Sequence, residues 1–356
     1  MPRDEVQKID GNWPAGWSIR APRRDDVDRV VELLNARSQK LYGKNQSTHE
    51  SVESWWGKQG LDLEQDLLLA LDDRGAVAGL AFVSNEGVPH ANVGCSASVH
   101  PQHEEDARLW DGLVAWALRR AMDFVSLAPS EIRVAATAQV TTQDSARRAA
   151  LERAEFRDLR VESHMRIDLA APPTEARWPA GIGVRPADRE ADLPDIVGLY
   201  RESWRDHWGF VERPYADVLT TFVSEIESRC GPVDPSLWFL AVEGQEVVGM
   251  SLCIPGLMND PSGGYIYELG VRPAWRKRGI ALALLHHTFA EFRRRGYIGV
   301  ELDVDSESLT GALRVYERAG MRVVQQSINY EKELRPGIDL ATRSLAATPD
   351  PSSEGE

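Results

Sequence analysis

The sequence predicts an α/β protein in which one mixed-sheet domain occurs twice in tandem. Three observations carry that reading: a weak internal repeat, strand-like and helix-like segments in the same order in each copy, and a basic strand-to-helix loop kept only by the second copy. Gly16-Trp17-Ser18-Ile19-Arg20 reads like Gly181-Ile182-Gly183-Val184-Arg185, 165 residues on, and Leu151-Glu152-Arg153-Ala154 reads like Tyr316-Glu317-Arg318-Ala319 at the same offset. Val99-His100-Pro101 matches Val271-Arg272-Pro273 at an offset of 172, so a length difference opens and closes within the repeat. Proline and alanine break both periodicities from Ala170 to Ala180, which marks a linker. The expected organisation is an N-terminal extension over 1–15, a first domain over 16–170, a linker over 171–180, a second domain over 181–334 and a disordered tail over 335–356.

In the second copy, Leu193, Ile196, Val197 and Tyr200 recur at helical spacing within 187–204. Leu237 to Val242 and Val247 to Cys253 read as strands around the turn Glu243-Gly244-Gln245-Glu246, and Tyr265 to Val271 as a third. Ala281, Leu285, Phe289 and Phe292 form the stripe of an amphipathic helix that stops near Gly296. A strand over 298–304, a short helix over 310–319 and a last strand over 321–330 complete the copy. The first copy keeps the long helix, with Leu109, Leu113, Trp116 or Ala117, and Arg120 or Ala121 at helical spacing.

The chain has 356 residues, enough for two domains, and its 42% apolar and 27% charged content is that of an ordinary globular protein. Its formal net charge of −14 argues against nucleic acid and anionic membranes as partners. Three scattered cysteines, Cys95, Cys230 and Cys253, suit neither a disulfide framework nor a paired zinc site. With no secretory h-region and no long apolar run, a reducing, cytoplasmic setting is expected.

The stretch from Tyr267 to Ala281 runs from a strand through a basic loop into a helix. The free N–H groups at a helix start and its dipole favour an anion, and Gly279 leaves the backbone open to close approach. Arg276, Lys277 and Arg278 strengthen the argument, since cations at a helix N-terminus are unfavourable unless an anion sits among them. Arg293-Arg294-Arg295, near the same helix's C-terminus, needs no ligand.

Arg276-x-x-Gly279-x-Ala281 after a strand, followed downstream by Ala312-Leu313-Arg314-Val315-Tyr316-Glu317-Arg318-Ala319-Gly320-Met321, resembles the GNAT (Gcn5-related N-acetyltransferase) superfamily. The match covers the second copy well and the first weakly, and the tandem layout is similar to members that acetylate a small thiol-containing amine. The resemblance implies two tandem GNAT-like domains, each a mixed central sheet flanked by helices on both faces, and acetyl-CoA as co-substrate. It implies that Arg276, Lys277, Arg278, Gly279, Ile280 and Ala281 cradle the pyrophosphate, and that main chain of Leu269 and Val271, at a bulge of the strand, faces the pantetheine and thioester. Ser308 stands eight residues before Tyr316, where the family often has an asparagine on the pantetheine arm, and offers a hydrogen bond of shorter reach.

Acetyl transfer from a thioester to an amine needs a neutral amine, a donor for the developing oxyanion and an acid for the departing thiolate. Tyr316, at the position of the family's tyrosine, is the expected acid, and the N–H of Val271, splayed by a bulge, the expected donor. Glu268 is the first candidate base, because its strand position between Tyr267 and Leu269 suits a raised pKa. Strand alternation equally allows it to face solvent or a salt bridge, with water deprotonating the amine. His207, within Ser203 to Phe210, is the second candidate, as base or acceptor contact; the competing reading packs it with the neighbouring indoles.

Aligned on Val99 and Val271, Glu104-Glu105-Asp106-Ala107 falls opposite Arg276-Lys277-Arg278-Gly279, and Leu151 opposite Tyr316. Three cations have become three anions, so the first copy is expected neither to bind coenzyme conventionally nor to supply the acid. His100, His103 and Glu104 have no matched ligand elsewhere, and no metal is expected. The expected activity is acetyl-CoA-dependent N-acetylation of a small-molecule primary amine, by direct attack in a ternary complex, in a monomer or homodimer with no nucleic-acid or membrane partner. A non-catalytic acyl-CoA-binding or sensor protein and a protein N-terminal acetyltransferase are the alternatives.

Overall fold

A computed structural model describes Trp13 and residues 16–341, except residues 59, 86, 206, 231–232, 258–259 and 308–310. The expected N-terminal extension, Trp13 apart, and the tail from residue 342 lie outside the described residues. The chain forms two compact units, the first of residues 1–162 and 325–339, the second of residues 163–324 and 340–356.

In the first half of the chain the elements are β1 (Ser18–Arg20), α1 (Val27–Tyr42), α2 (His49–Trp56), α3 (Leu63–Asp66), β2 (Leu67–Leu71), β3 (Val77–Asn85), β4 (Asn92–Val99), α4 (Ala107–Phe124), β5 (Val134–Thr141), α5 (Ser145–Arg153) and β6 (Arg157–Asp168). The second half follows with β7 (Ile182–Pro186), α6 (Leu193–Trp204), α7 (Tyr215–Cys230), β8 (Trp238–Glu243), β9 (Glu246–Leu257), β10 (Asp260–Val271), α8 (Ile280–Arg294), β11 (Gly299–Asp305), α9 (Ala312–Arg318) and β12 (Arg322–Arg335). The repeat shows in detail: Arg20 forks onto the Asp26 carboxylate, its Nη2 2.8 Å from Oδ1, and Arg185 onto Asp192, with contacts of 2.6 and 2.7 Å.

The strand order is β1-β2-β3-β4-β5-β12 in the first unit and β6-β11-β10-β9-β8-β7 in the second. Each unit therefore takes its sixth strand from the other half of the sequence, which differs from the expected domains over 16–170 and 181–334. The structured chain also runs on into the stretch expected as tail: Arg335 ends β12, and Ile338 bridges to Ile132.

In the second unit the sheet is covered on both faces. Along β8, Phe239 and Ala241 pack with Leu284, Leu285, Phe289 and Phe292 of α8, while Trp238 and Leu240 pack with Ile196, Val197 and Leu199 of α6 and Phe222 of α7. That alternation is the strand's period of two, and each large side chain removed from water this way stabilises the unit by roughly 1.5–3 kcal/mol. Helix α8 is the stripe expected from sequence, one face buried and the last turn carrying Arg293 and Arg294. Helix α7 lies where no element was expected, although its buried Val218, Phe222 and Ile226 recur four residues apart, the spacing of a helix face.

Candidate active site

Strands β10 and β11 run parallel and pair only where Gly263, Gly264 and Tyr265 meet Gly299, Val300 and Glu301. Past Tyr265 this pairing with β11 stops. On its other edge β10 stays paired with β9, and of the two shifts in that register the second lies at the site: Ile266 faces Cys253 and Glu268 faces Leu252, leaving Tyr267 as an inserted residue. The bulge expected at Val271 thus lies at Tyr267, and Val271 is in regular register with Gly249. Ile266 and Leu269 pack on the α8 side, while Tyr267 packs with the α6 cluster. The extra residue sends Glu268 to the α6 side as well, where Trp204 Nε1 donates a 2.7 Å hydrogen bond to its Oε2.

Glu268 is buried, 7% exposed. Tyr316, in α9, is buried too, and that burial, followed by the nearby Glu268 carboxylate, pushes its phenol above the ordinary tyrosine range. The expected acid thus lies within electrostatic reach of the first candidate base. His207 lies against Trp204, ring centroids 4.3 Å apart and planes inclined at 37°, and Tyr200 packs on Trp204's ring at 5.7 Å. Trp204 is the residue that sequence reasoning did not single out: it is the last residue of α6 and touches both Glu268 and His207. Asp206 and Ser308 lie outside the described residues.

Between β10 and α8 the loop has the features of an anion cradle. Gly279 is the N-cap of α8 with φ +91°, and no side chain caps the helix, so its first N–H groups carry no side-chain cap. A Cβ built on Gly279 meets no protein atom within 4 Å, so the space over this backbone is open. Lys277, a non-glycine, is also held at positive φ, 62°, a conformation that persists where surrounding structure imposes it. Arg276 donates from Nε to the Val271 carbonyl at 3.2 Å and from Nη2 to the Ser203 carbonyl at 3.3 Å, so its guanidinium is anchored between the end of β10 and the end of α6. Glu243 braces the loop from both ends, accepting from Trp275 Nε1 and Arg278 Nη2, each at 2.8 Å; these bonds hold its carboxyl below the usual range. Ile280 buries its side chain in the core, and Ala281 is half-buried in the first turn.

The corresponding place in the first unit is built differently. Helix α4 starts at Ala107, and the Asp106 carboxylate caps it, accepting from the N–H groups of Arg108 at 3.0 Å and Leu109 at 3.2 Å. Matched by helix start, Asp106 rather than Ala107 stands opposite Gly279, an internal anion where the second unit leaves donors uncapped. Glu104 is engaged by Lys40. Strand β4 pairs with β3 in unbroken register, without a bulge. Three residues before Val99 stands Ser96, where the second unit has Glu268, and it accepts a 3.0 Å hydrogen bond from Arg147 Nη2. Leu151 is buried in the core near the end of α5. Among the described residues no group of three or more His, Cys, Asp or Glu side chains is placed to hold a metal ion, and no helix is long and apolar enough to cross a membrane.

A bulged strand that parts from its parallel neighbour, a buried carboxylate within electrostatic reach of a buried tyrosine, and a helix without a side-chain cap behind a basic loop together make an acyl-transfer scaffold, and the comparisons agree. Residues 193–321 match the model of the acetyltransferase (GNAT) family. A solved GCN5-related N-acetyltransferase from Sphaerobacter thermophilus is 32% identical, superposes with a TM-score of 0.79, and is covered over 98% of its length by 92% of this chain. The chain belongs to the GCN5-related N-acetyltransferase family, and is of the tandem type. Among curated proteins it is similar to a mycothiol acetyltransferase of Propionibacterium freudenreichii subsp. shermanii, 23% identical over 313 residues, 86% of this chain and 88% of that one. A tandem GNAT protein from the clavulanic acid biosynthesis pathway shares the fold, with a TM-score of 0.65 at 14% identity over 90% of this chain and all of that one.

Proposed function

We propose that the second unit carries a single active centre that acetylates the primary amine of a small molecule, and that the first unit is catalytically silent. The observation that carries this reading is the contrast between two equivalent helix starts: α8 begins with a glycine in an open basic loop, α4 with its own capping carboxylate. Acetyl-CoA, held by main-chain N–H groups from Gly279 to Ala281 and by Arg276, Lys277 and Arg278, supplies the activated acetyl group. Leu269 and Val271 lie along the strand edge that the pantetheine would follow.

Glu268 is placed to take a proton from the acceptor ammonium, so that the amine attacks as its neutral form. Its burial beside an indole shields that exchange from bulk water. Tyr316, kept protonated by burial and by the Glu268 charge, stands ready to deliver its Oη proton to the departing sulfur. The amine attacks directly, without a covalent enzyme intermediate, and His207 forms part of the acceptor wall through its stack on Trp204. The similarity to a mycothiol acetyltransferase supports a small, polar amine as acceptor.

Calorimetric titration of acetyl-CoA into the full chain tests this reading together with thiol release over a panel of small amines. One site per chain with turnover on at least one amine is expected. Two equivalent sites overturn the silent first unit, and binding without turnover on any amine favours an acyl-CoA sensor.

A further inference from the structure

We propose that Trp204 is a positioning residue for acetyl transfer, its indole N–H fixing the orientation of the Glu268 carboxylate on the α6 side of the bulged strand. The proposal rests on the reading of Glu268 as the base. The bond itself is short, 2.7 Å from Nε1 to Oε2, at the tight end of the range for a charge-assisted N–H···O⁻ contact. Three separate features bring its two ends together. The bulge at Tyr267 turns Glu268 onto the face where α6 lies. Helix α6 is seated closely on β10 at Gly270, where a Cβ would stand 2.8 Å from Ser203 Oγ and 2.9 Å from Leu199 Cδ2. The Trp204 ring is then packed by Tyr200 on one part and His207 on another.

An indole N–H donates and cannot accept or titrate, so this contact takes no part in proton transfer. Its effect on a carboxylate is to favour the ionised form and restrict its rotation, which a base acting on an amine requires. A tryptophan present only for packing would tolerate phenylalanine, which fills most of the same volume.

The test compares Trp204→Phe, Trp204→His and Glu268→Gln in the full chain, with glucosamine as the amine probe, acetylated product read by mass spectrometry, and rates followed across pH. Acetyl-CoA hydrolysis by the same proteins provides a readout in which water replaces the amine. In Trp204→Phe, kcat is expected to fall about tenfold while the KM for acetyl-CoA stays within about twofold. The acidic limb of the kcat/KM profile should move to higher pH, because losing a donor to the carboxylate raises its pKa. Trp204→His, which keeps a ring N–H, should recover part of the loss. A Trp204→Phe profile that superimposes on the parent, or equal rates in the Phe and His variants, overturns the proposal. Should Trp204→Phe not fold, Trp204→Met, which fills much of the ring's volume and has no hydrogen-bond donor, is expected to move the same limb in the same direction, and an unmoved limb overturns the proposal. Glu268→Gln separates the two readings: full activity there removes Glu268 as the base, whereas an inactive Glu268→Gln beside an unaffected Trp204→Phe removes only the role of Trp204.

Discussion

Tyr316 shows how one side chain's surroundings decide its chemistry. A phenol in water loses its proton near pH 10, but this one is enclosed by the core of the second unit and faces a carboxylate, and both disfavour the phenolate. It therefore keeps its proton throughout the physiological range. Tyr316→Phe removes the hydroxyl and little else, so kcat is expected to drop by about a hundredfold, with acetyl-CoA affinity unchanged within about twofold. Steady-state kinetics and calorimetry on the same preparation check this, and a parallel loss of affinity would make Tyr316 a coenzyme contact rather than an acid. Tyr316 was legible in the sequence because its family position is marked by the run that follows it. The side chain of Glu268 was not, because its face depends on a bulge defined only by register with β9, a property of two strands and not of one. Trp204 was hidden for the same reason: nothing near it in sequence says which strand residue it will meet.

The start of α8 is the element on which the proposed coenzyme site turns. Gly279 has two reasons to be glycine: its φ of +91° is unfavourable for any side chain, and the open space over it is where a phosphate would approach. Because no protein atom lies within 4 Å of where a Cβ would stand, Gly279→Ala costs stability only through backbone strain, about 1–2 kcal/mol. Its KM for acetyl-CoA should rise by more than about tenfold, the methyl standing where the ligand comes closest. Thermal unfolding and coenzyme titration together check this, and a variant as unstable as expected but with unchanged KM would place the pyrophosphate elsewhere. This element was the most legible in the chain, since a period of 3.6 residues, a basic loop and a glycine each point to it independently. The other elements expected in the second copy also fell close to their places, with β9, β10 and β12 longer and α6 shorter than read. What one strand's sequence does not carry is its choice of neighbour: β6 and β12 follow similar helices, α5 and α9, and pair in the opposite units from those their chain positions suggest.

At the scale of the molecule, that choice of neighbour makes the second unit depend on a strand from the first half of the chain, and the side chains along β6 show what fastens it there. His164 reaches Asp303 from Nδ1 at 2.8 Å and Glu301 from Nε2 at 3.0 Å, and Arg166 adds a second contact to Glu301. Beneath them Met165 is completely buried in the second unit's core. Burial alone would lower the His164 pKa, but the hydrogen bonds to Asp303 and Glu301 outweigh it and raise the imidazole to about 9, while the same histidine, with Arg166, drives Glu301 down to about 2. A histidine whose folded pKa lies above its unfolded value of 6.5 contributes stability fully present below about pH 6.5 and lost as pH rises through 9. The shift corresponds to roughly 3 kcal/mol at most. His164→Gln should therefore be clearly less stable than the parent at about pH 6.5, and the two should converge by about pH 9.5. Glu301 works in the opposite sense, its contribution present above about pH 4.5 and lost only as pH falls toward 2, so it leaves the alkaline slope untouched. Urea midpoints of the two proteins at a series of pH values read the difference directly. A gap that stays constant from about pH 6.5 to about pH 9.5 would mean that His164 packs against β11 without its charge, and that Arg166 and the buried Met165 alone hold the strand in place.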